Sequence, residues 1–130
     1  MRGALLAGML VLLAGTTRAE RPPSPKVKGE RVFLKCFSCH TLDPATSNLP
    51  GPNLVGIIGR GTASLPGFNY SPAMRTFAGR NGIWTAEKLD RYIIDPMGIV
   101  PGTTMAFPGI RDPNERRELI AYFVIKSRSR

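Results

Sequence analysis

The feature that most constrains this chain is the pentapeptide CFSCH at 36–40, in which two cysteines three residues apart precede a histidine. Residues three apart on a helical turn share a face, so the two thiols can reach one edge of a flat ring system. Cys-x-x-Cys-His is the spacing at which a haem is attached through two thioethers. The motif therefore predicts one covalently bound haem c, with Cys36 and Cys39 as attachment points and His40 as a ligand of the iron.

Three other interpretations fit the motif less well. A thioredoxin-type Cys-x-x-Cys requires a preceding strand and a βαβ unit, and neither pattern surrounds this motif. A zinc site requires four ligands, whereas Cys36 and Cys39 are the only cysteines of the chain and His40 is its only histidine. A disulfide between the two cysteines would leave the histidine unexplained.

The N-terminus has the pattern of a secretory signal peptide. Arg2 provides a positive start, residues 4–15 form an apolar run without charge, and the sequence TRA at 17–19 offers a small-x-small cleavage site. The apolar run is too short to span a bilayer. We predict a signal peptide over 1–19, one domain over 20–130 and a periplasmic location, with an uncleaved N-terminal anchor as the alternative.

Residues 20–130 are basic, because they keep 16 of the 18 Lys and Arg and all 9 Asp and Glu, for a net charge of +7. This charge suits docking to the acidic faces of partner proteins, although a charged surface also serves solubility alone. No basic stripe interleaved with aromatic residues is present, so nucleic acid is not an expected partner. We expect a soluble monomer without stable membrane insertion.

Helical periodicity and capping signals predict an all-α domain of about four helices with long loops. Twelve prolines and fourteen glycines agree with much loop, and a covalent haem would hold a loop-rich small domain together. A turn is expected at 78–82, and Pro96 is expected to end the third helix. The predicted helices are 26–35, 72 to about 77, 86–94 and 113 to about 126, and the predicted loops are 43–67 and 98–110.

The second axial position of the iron requires a ligand from outside the motif. A thioether is suitable, because His/Met ligation raises the reduction potential of the haem. Residues 20–130 contain three methionines, Met74, Met97 and Met105, although a methionine is more often core filler than a ligand. Met105 lies in the predicted loop 98–110, which can hold a sulfur at a fixed point over the ring, so we predict Met105 as the ligand.

The order of motifs along residues 20–130 resembles that of a class I c-type cytochrome, of the kind related to mitochondrial cytochrome c and its soluble bacterial counterparts. The resemblance implies the small cytochrome c fold wrapped around one haem. It also implies a soluble one-electron carrier, not an enzyme, that cycles between Fe(III) and Fe(II) and connects respiratory or photosynthetic redox partners. The matching segments are CFSCH at 36–40, GPNLVGIIGR at 51–60, GFNY at 67–70, Trp84, PGTTMAFPGI at 101–110 and LIAYF at 119–123.

The resemblance assigns roles to several residues outside the motif. The Pro52 carbonyl would accept a hydrogen bond from the second ring nitrogen of His40 and so fix the tautomer of the imidazole. Arg60, Tyr70 and Trp84 would hydrogen-bond the haem propionates, directly or through water, so that two carboxylates can be partly buried. The alternatives are that Trp84 is only a core aromatic and Arg60 an exposed loop cation.

The same resemblance places Tyr92 and Thr103 close to the sulfur of Met105 and to an internal water. Tyr92, like Trp84, could instead be a core aromatic only. Met74 departs from the family pattern, because it stands where a polar residue often lies near the haem. The segment from Ser71 to Trp84 is also a few residues longer than in the mitochondrial proteins.

The expected docking surface departs from the family pattern too. Mitochondrial members carry a ring of lysines around the exposed haem edge, whereas Met97, Gly98 and Thr104 occupy such places here. Lys35 is retained and is the cation nearest to the motif. We therefore expect weak electrostatic steering led by Lys35, and an electron-transfer rate that falls only shallowly with ionic strength.

Two other functions remain compatible with the sequence. The chain could be the electron-transfer subunit of a larger dehydrogenase. It could also be a haem enzyme or gas-binding protein, if Met105 is held weakly enough to open a coordination position on the iron.

Overall fold

The computed structural model describes residues 21–46 and 48–128, so the predicted signal peptide over 1–19 lies outside the described residues. The described ranges contain no β-strand, only an isolated antiparallel bridge between Gly61 and Ile83. The predicted all-α fold with long loops is confirmed. The helices are α1 (Pro25–Phe33), α2 (Pro72–Asn81), α3 (Ala86–Ile94), α4 (Pro96–Ile99) and α5 (Pro113–Arg128).

Side-chain caps explain where the helices begin. The Ser71 hydroxyl accepts a hydrogen bond from the amide of Met74 at 3.1 Å, and the Thr85 hydroxyl accepts one from Lys88 at 3.2 Å. Each cap satisfies an amide that has no partner inside its helix. Proline at the first position of α2 needs no such partner, because it has no N–H.

The predicted end of α2 was wrong, and the structure adds a short helix that begins at Pro96. The turn expected at 78–82 is helical as far as Asn81, because α2 ends only at Gly82, whose φ of 56° favours glycine. Pro96 does end α3, but it also begins the one-turn helix α4, which is capped by the Asp95 side chain. Proline suits a first helical turn as well as a helix end, and Pro96 does both here.

Helices α1 and α5 cross at close range. A Cβ atom at Gly29 would collide with the carbonyl oxygen of Glu118 and the Cβ of Tyr122, so only glycine permits this approach. The Phe33 ring packs against Tyr122 and Phe123, with ring centroids 6.2 and 6.1 Å apart. This crossing fixes α1, and with it the start of the CFSCH turn, against α5.

The loop that carries Met105 is anchored at both ends. Val100 donates its amide to the carbonyl of Pro96 in α4 at 2.9 Å, and Ile110 donates its amide to the carbonyl of Ile93 in α3 at 2.8 Å. The Arg116 guanidinium of α5 adds a bond of 3.0 Å to the carbonyl of Ile110. These contacts hold the segment 100–110 against α3 and α5.

The long loop 43–67 is held by backbone bonds to the segment that follows α2. Gly59 donates to the carbonyl of Trp84 at 2.7 Å, Trp84 donates to Arg60 at 2.9 Å, and Thr62 donates to Gly82 at 2.7 Å. The loop thereby forms a wall without any helix of its own. Within the described ranges, none of the helices is long and apolar enough to cross a membrane.

Candidate functional site

A cavity of about 310 Å³ lies between the CFSCH turn, the long loop and the segment that carries Met105. All ten residues predicted for the site line this one cavity. They come from six separate parts of the chain, so the fold, rather than sequence proximity, brings them together. The ten are Cys36, Cys39, His40, Pro52, Arg60, Tyr70, Trp84, Tyr92, Thr103 and Met105.

The CFSCH segment continues the helical path of α1. Cys36 donates its amide to Phe33 at 2.8 Å, and both Cys39 and His40 donate to the carbonyl of Cys36, at 3.1 and 2.9 Å. This turn directs both cysteines and the histidine into the same cavity. Burial raises the pKa of the Cys36 thiol to about 11, and Lys35 opposes that rise. The two sulfurs are not joined in a disulfide.

His40 is held by the backbone of the following loop. Its Nδ1 atom lies 2.7 Å from the carbonyl oxygen of Pro52, a geometry in which Nδ1–H donates and the lone pair remains on Nε2. A Cβ atom at Gly51 would lie 2.5 Å from Cε1 of the ring, so the backbone of Gly51 abuts the imidazole directly. Burial lowers the pKa of His40, the Pro52 contact opposes this, and the Arg60 charge adds to it. The neutral imidazole that results is the form that binds a metal.

Met105 presents its thioether to the cavity from the segment 100–110. The Tyr92 hydroxyl donates to Sδ of Met105 at 3.4 Å, and the amide of Met105 donates to the Thr103 hydroxyl at 3.2 Å. Burial raises the pKa of Tyr92 to about 12, against a hydrogen bond with Thr103 that lowers it, so the phenol stays protonated and able to donate. Met74 also lines the cavity, whereas Met97 is 47% exposed and is not among its lining residues.

Arg60, Tyr70 and Trp84 lie on the wall formed by the long loop and its neighbour. The Arg60 guanidinium donates to the carbonyls of Asn53 at 2.7 Å and Val55 at 3.3 Å, so it is a half-buried brace of the loop rather than an exposed cation. The Tyr70 hydroxyl accepts the amide of Leu65 at 3.3 Å. These contacts fix the Arg60 guanidinium and the Tyr70 hydroxyl at the cavity edge.

Trp84 and Tyr92 are core aromatics and cavity residues at once. Their ring centroids lie 5.1 Å apart, and both side chains are buried. The apolar lining includes Leu54, Leu89, Ile93 and Phe107. It also includes Leu119 and Phe123 of α5, whose place in the cavity the sequence pattern did not predict.

Lys35 is not the isolated cation that the sequence suggested. Its ammonium group lies 2.7 and 2.6 Å from the two carboxylate oxygens of Glu115. Glu115 is 80 residues away in the chain and belongs to the first turn of α5. The charge expected to lead docking is therefore paired, a point that no local pattern could show.

The residues of the cavity fit a haem c. Two thiols and a neutral imidazole share one turn, a thioether enters from a separate loop, and the remaining walls are largely apolar. The Gly51 backbone leaves room for the imidazole where a side chain would fill it. The fold and the cavity together define a small, all-helical haem c protein.

Comparison with known proteins identifies relatives of this chain. It is 41% identical to cytochrome c of Sesamum indicum over 104 residues, which are 79% of this chain and 91% of that one. It is 41% identical to cytochrome c-550 of Ancylobacter novellus over 95 residues, 73% and 89% of the two chains. The structure of cytochrome c2 from Rhodospirillum centenum matches with a TM-score of 0.73 at 34% identity, covering 81% of this chain and 99% of that one.

The chain belongs to the class I c-type cytochromes. Its cofactor is one covalently attached haem c, and the protein is an electron carrier. No family model matches the sequence.

Proposed function

We propose that this protein is a soluble one-electron carrier in which His40 and Met105 are the axial ligands of the haem c iron. When bound, haem c supplies an iron centre that gains or loses one electron between its ferric and ferrous states. The observation that carries the proposal is the convergence of both ligand candidates and both cysteines on a single apolar cavity. Bound haem c would take its two protein ligands from His40 and Met105, which would leave no position for a substrate and favours a carrier over an enzyme.

Several groups of the cavity have a defined task in this proposal. Cys36 and Cys39 form the thioethers, and the 2.7 Å contact to Pro52 keeps Nε2 of His40 as the donor atom. Tyr92 directs its O–H at the Met105 sulfur. The apolar walls exclude water, which disfavours the extra positive charge of the ferric state and raises the reduction potential.

The haem propionates are assigned to the wall that carries Arg60, Tyr70 and Trp84. Two carboxylates at this edge need a cation and hydrogen-bond donors to be partly buried. Arg60 supplies the cation and Tyr70 a hydroxyl, and both are fixed by bonds to loop backbone. Trp84 adds an indole N–H, the only donor of its ring system.

Location and partners complete the proposal. The signal-like pattern at 1–19 supports export, cleavage after Ala19 and a periplasmic location, where the protein would act as a monomer. The proposed partners are respiratory or photosynthetic redox proteins, and the net charge of +7 on residues 20–130 supports acidic faces on them. Nucleic acid is not an expected partner, because no basic stripe interleaved with aromatic residues is present in the sequence. The relative from Ancylobacter novellus, named cytochrome c-550, is a bacterial protein of the same family.

The decisive experiment measures mass and spectrum on the same preparation. The protein from a host with a haem-attachment system, denatured, should have the mass of residues 20–130 plus one haem. Its ferric form should show the weak near-infrared band of iron–sulfur ligation at neutral pH. The double variant Cys36→Ala/Cys39→Ala is the matched control and should carry no covalent haem.

Other outcomes would select the other functions. A mass without haem would refute the proposal entirely. Attached haem without the near-infrared band, combined with rapid binding of cyanide, would indicate a haem enzyme or gas-binding protein. Stable co-purification with a dehydrogenase from the native soluble fraction would indicate a dedicated subunit of that enzyme.

A further inference from the structure

The segment that carries Met105 ends in close contact with α3. A Cβ atom at Gly109 would collide with the carbonyl oxygen of Ile94, and the φ of 90° there also favours glycine. The next residue, Ile110, is 2% exposed and donates its amide to the carbonyl of Ile93 at 2.8 Å. Met105 lies only five positions before Ile110 in the chain, so this contact limits how far its sulfur can move.

One side chain of α5 holds this end of the segment from the other side. The Arg116 guanidinium donates through Nη1 to the carbonyl of Ile110 at 3.0 Å and to that of Arg111 at 2.8 Å. Its Nε atom donates to Oδ1 of Asp90 in α3 at 2.9 Å. Only 11% of the Arg116 side chain is exposed, so these bonds form largely out of water. A single group therefore joins the end of the Met105 segment to both α3 and α5.

The bonds around Met105 itself are local and cannot replace this anchor. The amide of Met105 donates to the Thr103 hydroxyl at 3.2 Å, and the amide of Phe107 donates to the carbonyl of Met105 at 3.0 Å. Bonds between neighbours in one segment move with that segment. They shape the loop, but the position of the sulfur relative to the rest of the protein depends on the anchors at its ends.

The contacts of Arg116 use a property that lysine lacks. A guanidinium is a rigid, planar fork with five N–H groups and can bond several acceptors at once, whereas an ammonium acts as a point charge. Charge-assisted bonds of this kind are roughly twice as strong as neutral ones. Loss of the guanidinium would take this donor from two backbone carbonyls, so the segment would leave α3 more easily.

We propose that Arg116 is a positioning residue of the electron-transfer site: it holds the end of the Met105 segment against α3 and so keeps the thioether on the haem iron, while Asp90 orients its guanidinium. The inference rests on the proposed function, in which Met105 is an axial ligand. Arg116 is not among the residues that line the cavity, so it acts through the segment and not by touching the haem.

The rate at which the ferric holoprotein binds cyanide measures this effect. Cyanide can bind only after Met105 has left the iron, so the rate at saturating cyanide approaches the rate at which the sulfur dissociates. Arg116→Gln should raise this limiting rate about tenfold, because several bonds that hold the segment are lost. The near-infrared band should remain at neutral pH, because the sulfur still returns to the iron.

Two further variants separate the shape of the guanidinium from its charge. Arg116→Lys keeps the charge but loses the fork, so its limiting rate should lie between those of the wild type and Arg116→Gln. Asp90→Asn leaves the carbonyl bonds in place and should raise the rate only about threefold. In the Arg116→Gln background the change at Asp90 should add nothing, because its partner is already absent. Both variants still decide the question if Arg116→Gln fails to fold.

Two controls distinguish positioning from a general loss of stability. Arg117→Gln removes the same charge one residue later in α5, where the guanidinium donates to Asn114 of the same helix, and it should leave the limiting rate unchanged. Val32→Ala removes buried volume in α1 from a residue that does not line the cavity. It should lower the free energy of unfolding in guanidinium chloride without changing the limiting rate.

Three results would count against these assignments in different ways. Equal limiting rates in Arg116→Gln and Arg117→Gln, or no effect of Asp90→Asn and Arg116→Lys, would overturn the proposal. A rise in Val32→Ala as large as that in Arg116→Gln would also overturn it, because the rate would then follow overall stability alone. A wild-type protein without the near-infrared band would instead refute the Met105 ligation on which the inference rests.

Discussion

His40 and Met105 reach the same cavity from two walls that are held in different ways. The His40 wall is braced by backbone: Nδ1 lies 2.7 Å from the Pro52 carbonyl, and the amide of Gly51 donates to the carbonyl of Cys39 at 2.8 Å. The Met105 wall is a loop fixed at its ends. Its sulfur receives one side-chain hydrogen bond, from Tyr92 at 3.4 Å.

Because of this difference, we expect one of the two proposed ligands, Met105, to dissociate from the iron more readily than the other, His40. An imidazole enclosed by backbone and sharing a turn with two covalent attachment points has nowhere to move. A methionine has three rotatable side-chain bonds and a weakly basic sulfur, so it can leave while its loop stays anchored. Exchange of ligands, where it occurs, should therefore take place on the Met105 side, and the predictions below test this asymmetry.

The largest effect is expected from Met105→Ala. Loss of the soft thioether should remove the near-infrared band and lower the reduction potential by roughly 0.2 V, a fraction of the range of about 0.8 V that axial ligands cover. It should also allow cyanide to bind rapidly. Optical spectra and potentiometry of the holoprotein give all three results.

The other two methionines are the controls for this variant. Met97→Ala should leave band and potential unchanged, because Met97 is exposed and is not part of the cavity lining. Met74→Ala should keep the band, since Met74 lines the cavity but is not the proposed ligand. If either variant abolished the band while Met105→Ala did not, the ligand assignment would be wrong.

A smaller effect is expected on the opposite wall from Gly51→Ala. The added methyl group would sit 2.5 Å from Cε1 of His40 and 2.8 Å from the carbonyl oxygen of Cys39, so the turn must shift to admit it. Overpacking of this kind should lower the free energy of unfolding by about 2 kcal/mol. Denaturation of the ferric holoprotein in guanidinium chloride measures it.

The matched control for that variant is Gly79→Ala in α2. A Cβ atom at Gly79 meets nothing within 4 Å, and alanine is the better helix former. This variant should therefore be as stable as the wild type or more stable by up to about 1 kcal/mol. Equal losses in both variants would mean that the His40 wall is no more tightly packed than an exposed helix.

The two walls of the cavity could be located from the sequence, because each has its own local sequence pattern. CFSCH specifies its chemistry by spacing, and the Gly- and Pro-rich segment around Met105 marks a loop. Capping residues such as Thr85 located α3, whose bounds match the prediction. Local patterns work here because the contacts involved are only three or four residues apart.

The features that the sequence did not predict depend on contacts between distant parts of the chain. The pairing of Lys35 with Glu115 results from the crossing of α1 and α5, which the spacing within either helix does not encode. The cavity-facing positions of Leu119 and Phe123 depend on that crossing as well. Arg60 was predicted to bind the propionates or to be an exposed loop cation, and its bonds to the carbonyls of its own loop are visible only in the fold.

The smallest effect is expected from Tyr92→Phe, which tests the hydrogen bond to the Met105 sulfur. The Tyr92 hydroxyl donates to Sδ and draws electron density from it, which disfavours the ferric iron to which the sulfur would donate. Tyr92→Phe removes that donor and keeps the ring in the core. One hydrogen bond is worth about 1 kcal/mol, so the reduction potential should fall by roughly 40 mV for a one-electron couple. The near-infrared band should persist.

Tyr122→Phe is the control, because Tyr122 is also buried but is not among the residues that line the cavity. It removes the same atom, so any general effect of losing a buried hydroxyl should appear in both variants. A fall in the reduction potential that occurs only in Tyr92→Phe would show that the hydrogen bond to the Met105 sulfur is its cause. If both variants shifted the reduction potential equally, or if Tyr92→Phe raised it, the hydrogen bond from Tyr92 would not influence the Met105 ligand. The weaker attachment expected for Met105 would then be due to its loop alone.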